Sequence, residues 1–282
     1  MRRVVVLGST GALGKQFVKT LKSNKIKSFK FNRKNLNIEN KLQSLKSFLI
    51  KEKKKNIVVL NCIGFNGLNN CKKNKNLAYK INYSFPIRLS KLTSKLNIKL
   101  IHFSTEAVFN GTKRKKIYSE KSKPNPTTIY GKTKFLADKK LLNKKNVLII
   151  RLPLLFGNTH NKQIISKLIK KLLNNKKIYV ASDVFSTPIH SPDLCQFILE
   201  NCIIKDKFRN KKIIHLYSEK KLSTYHFIVK LSKSLKLNCL YNIIKVKDSY
   251  FKNNLENKPR HLGLTSVYKN CKLKINYNNF KI

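Results

Sequence analysis

Acidic residues are what this chain has least of: 12 Asp and Glu stand against 62 Lys and Arg in 282 residues, a formal net charge of +50. A chain so basic would suit a polyanionic partner. No zinc-finger or RNA-binding signature accompanies the charge, however, and the lysines run from end to end instead of forming one block. They travel with many Asn and Ile, residues of A/T-rich codons, so compositional bias accounts for the charge and nucleic acid is not expected as a partner. Paired cysteines are also missing. The six cysteines (62, 71, 195, 202, 239 and 271) contain no C-x-x-C and no framework spacing, which suits a reducing cytosol rather than a disulfide scaffold. No two histidines stand four apart, so no metal site is expected. Long apolar runs are absent. Residues 1–3 lead into Val4–Leu7 like the front of a signal peptide, but Gly8 ends the run, and no other run could span a bilayer. No Pro/Gly/Ser-rich linker and no internal repeat divides the chain. The expectation is a soluble, cytoplasmic protein with no membrane partner, and 41% hydrophobic residues with 16 Phe require a packed core.

What is present begins with Val4–Leu7, a continuous apolar run as in a strand buried on both faces. It meets Gly8, Gly11 and Gly14 and then a helical pattern with Leu13, Phe17 and Leu21 on one side. Glycines after a first strand permit a tight turn and let backbone N–H groups approach a pyrophosphate at a helix N-terminus. The spacing is G-x-x-G-x-x-G, so the strand–turn–helix context carries the reading, and a purely structural turn is the alternative. A second strand, about 26–31, ends at Asn32-Arg33, where dinucleotide folds read the ribose: an acid for a 2′-hydroxyl, a cation for a 2′-phosphate. Arg33 and the lack of a carboxylate there favour NADPH, with NADH as the alternative. A helix carrying Leu42, Leu45 and Leu49 follows, then a strand over 57–61. Next comes a helix over about 77–96 with Pro86 at a break or first turn, then a strand over 100–103 running into Ser104-Thr105-Glu106. After a loop over 110–128 come a helix from Tyr130 to about Leu142 and a strand over 147–151. This alternation predicts a Rossmann-type doubly wound parallel sheet over residues 1–152, with ligands beyond the C-terminal strand ends. Residues 153–282 are read as a smaller C-terminal α/β lobe, including an amphipathic basic helix over 164–173 that packs on protein or, alternatively, lies on a membrane surface.

Tyr130 and Lys134, four apart on a helix, share one face, and an ammonium beside a phenol eases its ionisation. In so lysine-rich a chain the spacing recurs at Tyr217–Lys221, Tyr241–Lys245, Tyr268–Lys272 and Tyr277–Lys281. Only Tyr130–Lys134 has a glycine turn after the first strand and a threonine at a strand end upstream of it.

The segments 8–14, 61–65 (Asn61 to Phe65), 103–111 (Phe103 to Gly111), 130–134 (Tyr130 to Lys134), 151–157 (Arg151 to Gly157), 183–188 and 192–194 together resemble the extended short-chain dehydrogenase/reductase family. Within it the chain is most similar to the dTDP-4-dehydrorhamnose reductase group of nucleotide-sugar reductases, over nearly its whole length. The resemblance implies a catalytic set of Thr105, Tyr130 and Lys134. Tyr130 would protonate the sugar oxygen, Lys134 would lower the Tyr130 pKa and hold the nicotinamide ribose, and Thr105 would hydrogen-bond the carbonyl. It implies cofactor contacts from Gly8, Gly11, Leu13, Gly14, Asn37, Ile38, Ile63, Gly64 and Phe65, substrate contacts from Thr105 and Glu106, and a homodimer. The function implied is NADPH-dependent reduction of a 4-keto-6-deoxy nucleotide sugar for deoxysugar and surface-polysaccharide synthesis. The family's usual Asp-Tyr is Glu106-Ala107 here, its frequent Trp is Leu154, and a common Asp is Asn37. One acid after the threonine, where dehydratases of this fold carry two, argues against dehydration. An NAD-retaining nucleotide-sugar epimerase and a non-catalytic nucleotide-binding regulatory subunit are the alternatives.

Overall fold

A computed structural model gives the fold and describes residues 2–38, 42–52, 56–157, 164–218, 220–251 and 258–274. Strands β1 (Arg3–Leu7), β2 (Ser28–Phe31), β3 (Ile57–Asn61), β4 (Lys99–Thr105) and β5 (Val147–Leu152) form one sheet with Ile213–His215, in the order Ile213–His215, β5, β4, β3, β1, β2. Every pairing in it is parallel. The continuous apolar runs follow from coverage on both faces. Val4 and Val6 pack on one side with Val58, Leu60, Ile101 and Ile150. Val5 and Leu7 pack on the other with Ile57, Val59, Leu100 and Ile149. Helix α1 (Ala12–Ser23) and the helix Ser191–Phe197 cover the first face together. Leu45, Leu49, Phe85, Leu89 and Leu141, from three further helices, close the second.

The strand order reverses between β1 and β3, and ligands of such sheets lodge in that crevice. The glycine turn lies there. Gly8 and Ser9 both donate backbone N–H bonds to the Phe31 carbonyl, stitching the turn to β2. A Cβ on Gly14 would stand 2.2 Å from the Gly8 carbonyl oxygen, so α1 can approach the turn this closely only with glycine there.

The chain beyond Leu152 does not all leave the sheet. Ile213–His215 joins it beside β5, and the helix Ser191–Phe197 packs against α1, so a boundary at residue 152 cuts through the sheet's own assembly. A separate core gathers Phe156, Ile165, Ile169, Leu172, Ile178, Val180, Phe227, Ile228 and Leu231, with Ile178–Ala181 pairing parallel to Ile243–Val246. The helix Ile164–Leu173 buries Ile165, Ile169 and Leu172 in that core and keeps its lysines outside, so its apolar face is already occupied by protein. No helix among the described residues is long and apolar enough to cross a membrane.

The helix expected over 77–96 differs in register. Lys75–Tyr79 passes through a π-turn, Lys80–Ser84, before Phe85–Lys95. Pro86 has no N–H to give the carbonyl one helical turn back, at Asn82, so the bond pattern changes there. The π-turn carries Asn82 inward, where it is 1% exposed.

Gly14→Ala is expected to destabilise the fold by about 1–3 kcal/mol or more, because the methyl would meet backbone rather than a movable side chain. Urea denaturation would measure it, and a variant as stable as the parent would show that the turn can yield.

Candidate active site

Thr105 ends β4 and its hydroxyl accepts the Ala107 N–H at 3.2 Å, capping the short turn Glu106–Val108. Thr128 caps the helix Ile129–Leu141 by accepting the Gly131 N–H at 3.2 Å. A Cβ on Gly131 would lie 2.1 Å from the Ala107 carbonyl oxygen, so the helix rests directly on that turn. The Tyr130 hydroxyl is thereby set beside the Thr105 side chain. Burial pushes the Tyr130 phenol up to about 12; the Thr105 hydrogen bond opposes this, while Cys71, Asp138 and Glu106 add to it. A phenol so placed keeps its proton at neutral pH and acts as an acid.

Lys134 departs from the expected arrangement. Its ammonium is not among the groups acting on Tyr130. The side chain is 4% exposed and turns down onto the sheet, where Nζ donates to the Phe103 carbonyl at 2.5 Å and lies 3.4 Å from His102 Nε2. A buried cation needs an acceptor, and the Phe103 carbonyl of β4 provides one. Burial lowers the Lys134 pKa to about 8, opposed by the charge of Asp138.

Asp138 lies one turn further along the helix and is fully buried. Its Oδ2 accepts from Ser104 Oγ at 2.9 Å and from Arg151 Nε at 3.0 Å. Burial pushes its carboxyl up; the opposing influences are the cations Arg151 and Lys134 and the hydrogen bonds from Ser104 and Arg151. Arg151 in turn lies over the Phe109 ring and 3.4 Å from His215 Nε2, whose Nδ1 faces the Tyr118 and Thr265 carbonyls at 3.1 Å.

Glu106 was expected to contact substrate. Its carboxyl is instead turned toward Ser186, whose Oγ donates to Glu106 Oε1 at 2.6 Å and itself accepts the Leu154 N–H at 3.2 Å. Burial pushes the carboxyl up to about 8, against the Ser186 hydrogen bond, the nearby Leu154 N–H and the charge of Lys221. Asn82 carries no sequence signal of its own, yet its Oδ1 accepts the Phe65 N–H at 2.8 Å. Its Nδ2 donates to the Phe65 carbonyl at 2.9 Å and to Thr133 Oγ1 at 3.3 Å. It clamps the Ile63–Gly64–Phe65 segment to the helix that carries Tyr130.

The residues expected at a cofactor divide. Gly11 caps α1 with no side-chain bond and no acid follows in the first turn, so the positive end of the helix, with the Leu13 N–H in that turn, is electrostatically open to an anion. Gly8 borders Cys62 and Ile63 across the crevice. Arg33 is exposed in a turn that Asn32 and Asn35 tie by side-chain bonds of 2.7–3.0 Å. Asn37 is exposed as well, whereas Ile38 packs on the core and its carbonyl accepts from Arg88. A cavity of about 450 Å³ opens between residues 67–70, beyond β3, and Leu168, Val180, Ala181 and Thr224 of the smaller lobe. Lys258 and Arg260 both meet Asp248, at 2.6 and 3.4 Å. Of the competing Tyr–Lys spacings, Tyr217, Tyr241 and Tyr268 stand outside α-helices, and Tyr277–Lys281 lies outside the described residues. No cluster suited to a metal occurs among the described residues.

Fold and site define a Rossmann-type α/β protein with a hydroxyl pair and a buried lysine at the C-terminal edge of its sheet. Residues 1–260 match the family described as RmlD substrate binding domain. The spore coat polysaccharide biosynthesis protein SpsK of Bacillus subtilis is 27% identical over 71% of this chain and 69% of its own length. A dTDP-4-dehydrorhamnose reductase of Aggregatibacter actinomycetemcomitans is 26% identical over 81% and 78%. The crystal structure of a dTDP-4-dehydrorhamnose reductase of Bacillus anthracis in complex with NADP superposes with a TM-score of 0.80 at 22% identity, covering 93% of this chain and 90% of that one. The chain belongs to the RmlD substrate binding domain family.

Two measurements probe the site. Arg151→Met leaves the Asp138 carboxylate buried without its partner and is expected to cost about 3–5 kcal/mol in urea denaturation, with part recovered in the double variant with Asp138→Asn. Glu106 has a folded pKa raised above its unfolded value, so its burial carries no charge penalty at acid pH. The penalty grows as pH rises from the ordinary carboxylate range and is complete above about 8. Glu106→Gln is therefore expected to match the parent's Tm near pH 4 and exceed it increasingly up to about pH 8; parallel curves would contradict the buried neutral acid.

Proposed function

We propose that this protein is an NADPH-dependent reductase of the keto group of a 4-keto-6-deoxy nucleotide sugar, acting in deoxysugar and surface-polysaccharide synthesis. The observation that carries the reading is the Thr105–Tyr130 hydroxyl pair, set over buried Lys134 beside an uncapped helix N-terminus at the sheet's switch point. The names of two relatives, a dTDP-4-keto-6-deoxy-D-glucose reductase and a dTDP-4-dehydrorhamnose reductase, point the same way.

In this reading Gly8, Gly11, Gly14 and the Leu13 N–H receive the cofactor's pyrophosphate, Arg33 its 2′-phosphate, and Ile63, Gly64 and Phe65 line its path, with Asn37 and Ile38 toward the adenine. NADH, which has no 2′-phosphate for Arg33, is the weaker cofactor. The bound nicotinamide supplies hydride to the sugar's carbonyl carbon. Tyr130 then gives its proton to the carbonyl oxygen, which Thr105 orients by a hydrogen bond. Lys134 swings up from Phe103 to hold the nicotinamide ribose and ease loss of the Tyr130 proton. The cavity between residues 67–70 and the smaller lobe takes the nucleotide part of the substrate. A reducing cytoplasm fits six free cysteines, and the working form is a homodimer.

NADPH oxidation across a panel of nucleotide-sugar ketones tests the proposal. Turnover is expected with 4-keto-6-deoxy sugars, and Tyr130→Phe is expected to lower kcat/KM by about 10²–10⁴ while NADPH binding persists. Failure of the whole panel, or a Tyr130→Phe variant with undiminished activity, would overturn it.

A further inference from the structure

His102 on β4 is fully buried beneath the site and bridges Asn61 to Lys134. Which of its nitrogens carries the proton follows from the neighbours. Asn61 Oδ1 accepts the Ile63 N–H at 3.2 Å, which turns the other end of the amide, Nδ2, toward His102. That amide nitrogen can only donate, and it stands 3.0 Å from His102 Nδ1. Nδ1 must then offer its lone pair. Burial holds the imidazole well below its ordinary pKa, so the ring is neutral and its single proton sits on Nε2.

Nε2 faces Lys134 Nζ at 3.4 Å. An ammonium there would set donor against donor. A neutral amine accepts from Nε2 and still donates to the Phe103 carbonyl, so every partner is satisfied. The ionisable groups around the lysine are Tyr130 and Asp138 on its own helix, His102 on β4 and Arg151 on β5, with Glu106 and Cys71 nearer Tyr130. Asp138 favours the ammonium, but its carboxylate is shared with Arg151 and Ser104. Burial wins, and the lysine titrates at about 8.

We propose that His102, its tautomer fixed by Asn61, favours the neutral amine form of Lys134 in the free protein, and that cofactor binding draws the lysine away as an ammonium and so takes up a proton at alkaline pH. The inference rests on the role given to Lys134 above: a group that only donates to ribose hydroxyls is best served by the ammonium form. The proton comes from the buffer and adds to the Nζ lone pair; His102 keeps its own proton throughout and acts as a positioning residue.

Calorimetric titration of the full-length protein with NADPH, in buffers of differing ionisation enthalpy, counts the protons. Uptake approaching about one per cofactor is expected at pH 9, shrinking toward zero near pH 7, with the Kd rising about tenfold per pH unit above roughly 8. In His102→Gln the amide reaches the Nε2 position and can turn its oxygen to the lysine, favouring the ammonium beforehand; uptake at pH 9 is expected to fall by half or more. Binding without proton uptake in the parent at pH 9 would overturn the inference while leaving the reductase reading intact. Undiminished uptake in His102→Gln would remove His102 from it. No NADPH binding at all would overturn both. If His102→Gln does not fold, the parent's proton count still decides.

Discussion

A lysine and an aspartate one helical turn apart are both buried beneath the site, and much of its construction serves to accommodate them. Neither charge could be taken from water without protein groups in its place. Asp138 receives Ser104 from β4 and Arg151 from β5, while Lys134 receives the Phe103 carbonyl and faces His102. Arg151 is fixed in turn against Phe109 and His215. The helix that carries Tyr130 is therefore bolted to the C-terminal ends of two adjacent strands. The placing of Tyr130 beside Thr105 follows from that attachment together with the bare contact of Gly131 on Ala107.

The part of this that could be read from the sequence is the part encoded locally. Val4–Leu7 followed by Gly8, Gly11 and Gly14 announces a buried strand, a tight turn and a helix, because each rule involved spans only a few residues. Tyr130 is separable from its look-alikes by order alone, and Tyr217, Tyr241 and Tyr268 stand outside α-helices. What escaped depends on distance in sequence or on a choice between rotamers. Asp138 and Arg151 read as an ordinary helix acid and a strand-end cation until the fold sets them together. Lys134 shares a helical face with Tyr130, but spacing does not say whether its long stem rises toward the phenol or lies on the sheet. Asn82 gained its position from a π-turn that the lone Pro86 only hints at. The return of Ile213–His215 to the sheet edge was invisible for the same reason: a three-residue strand has no periodicity of its own.

The extreme charge is consistent with this economy of acids. The described acids found in ion pairs are committed to internal fastening: Glu52 to Arg3, Asp206 to Arg2 and Lys99, Asp138 to Arg151, Asp248 to Lys258 and Arg260. Few acids remain to neutralise the outward lysines, so the surface keeps a long-range positive field. A cofactor and a substrate carrying phosphates would be drawn by such a field over roughly a Debye length, about 8 Å at physiological salt, without any lysine forming a dedicated contact. The charge would then bear on how fast an anionic ligand arrives, while the uncapped N-terminus of α1 offers a local positive end beside the crevice.

Thr105 and Glu106 are adjacent, yet the turn that follows β4 sends their side chains to different bodies. Thr105 meets the helix bearing Tyr130, and Glu106 meets Ser186 and Leu154 of the smaller lobe. A carboxyl held neutral by burial makes this link a hydrogen-bonded one without the reach of a salt bridge, so it is short-ranged and sensitive to small displacements. The single peptide unit between Thr105 and Glu106 thus joins the strand end beside Tyr130 to the chain around Ser186.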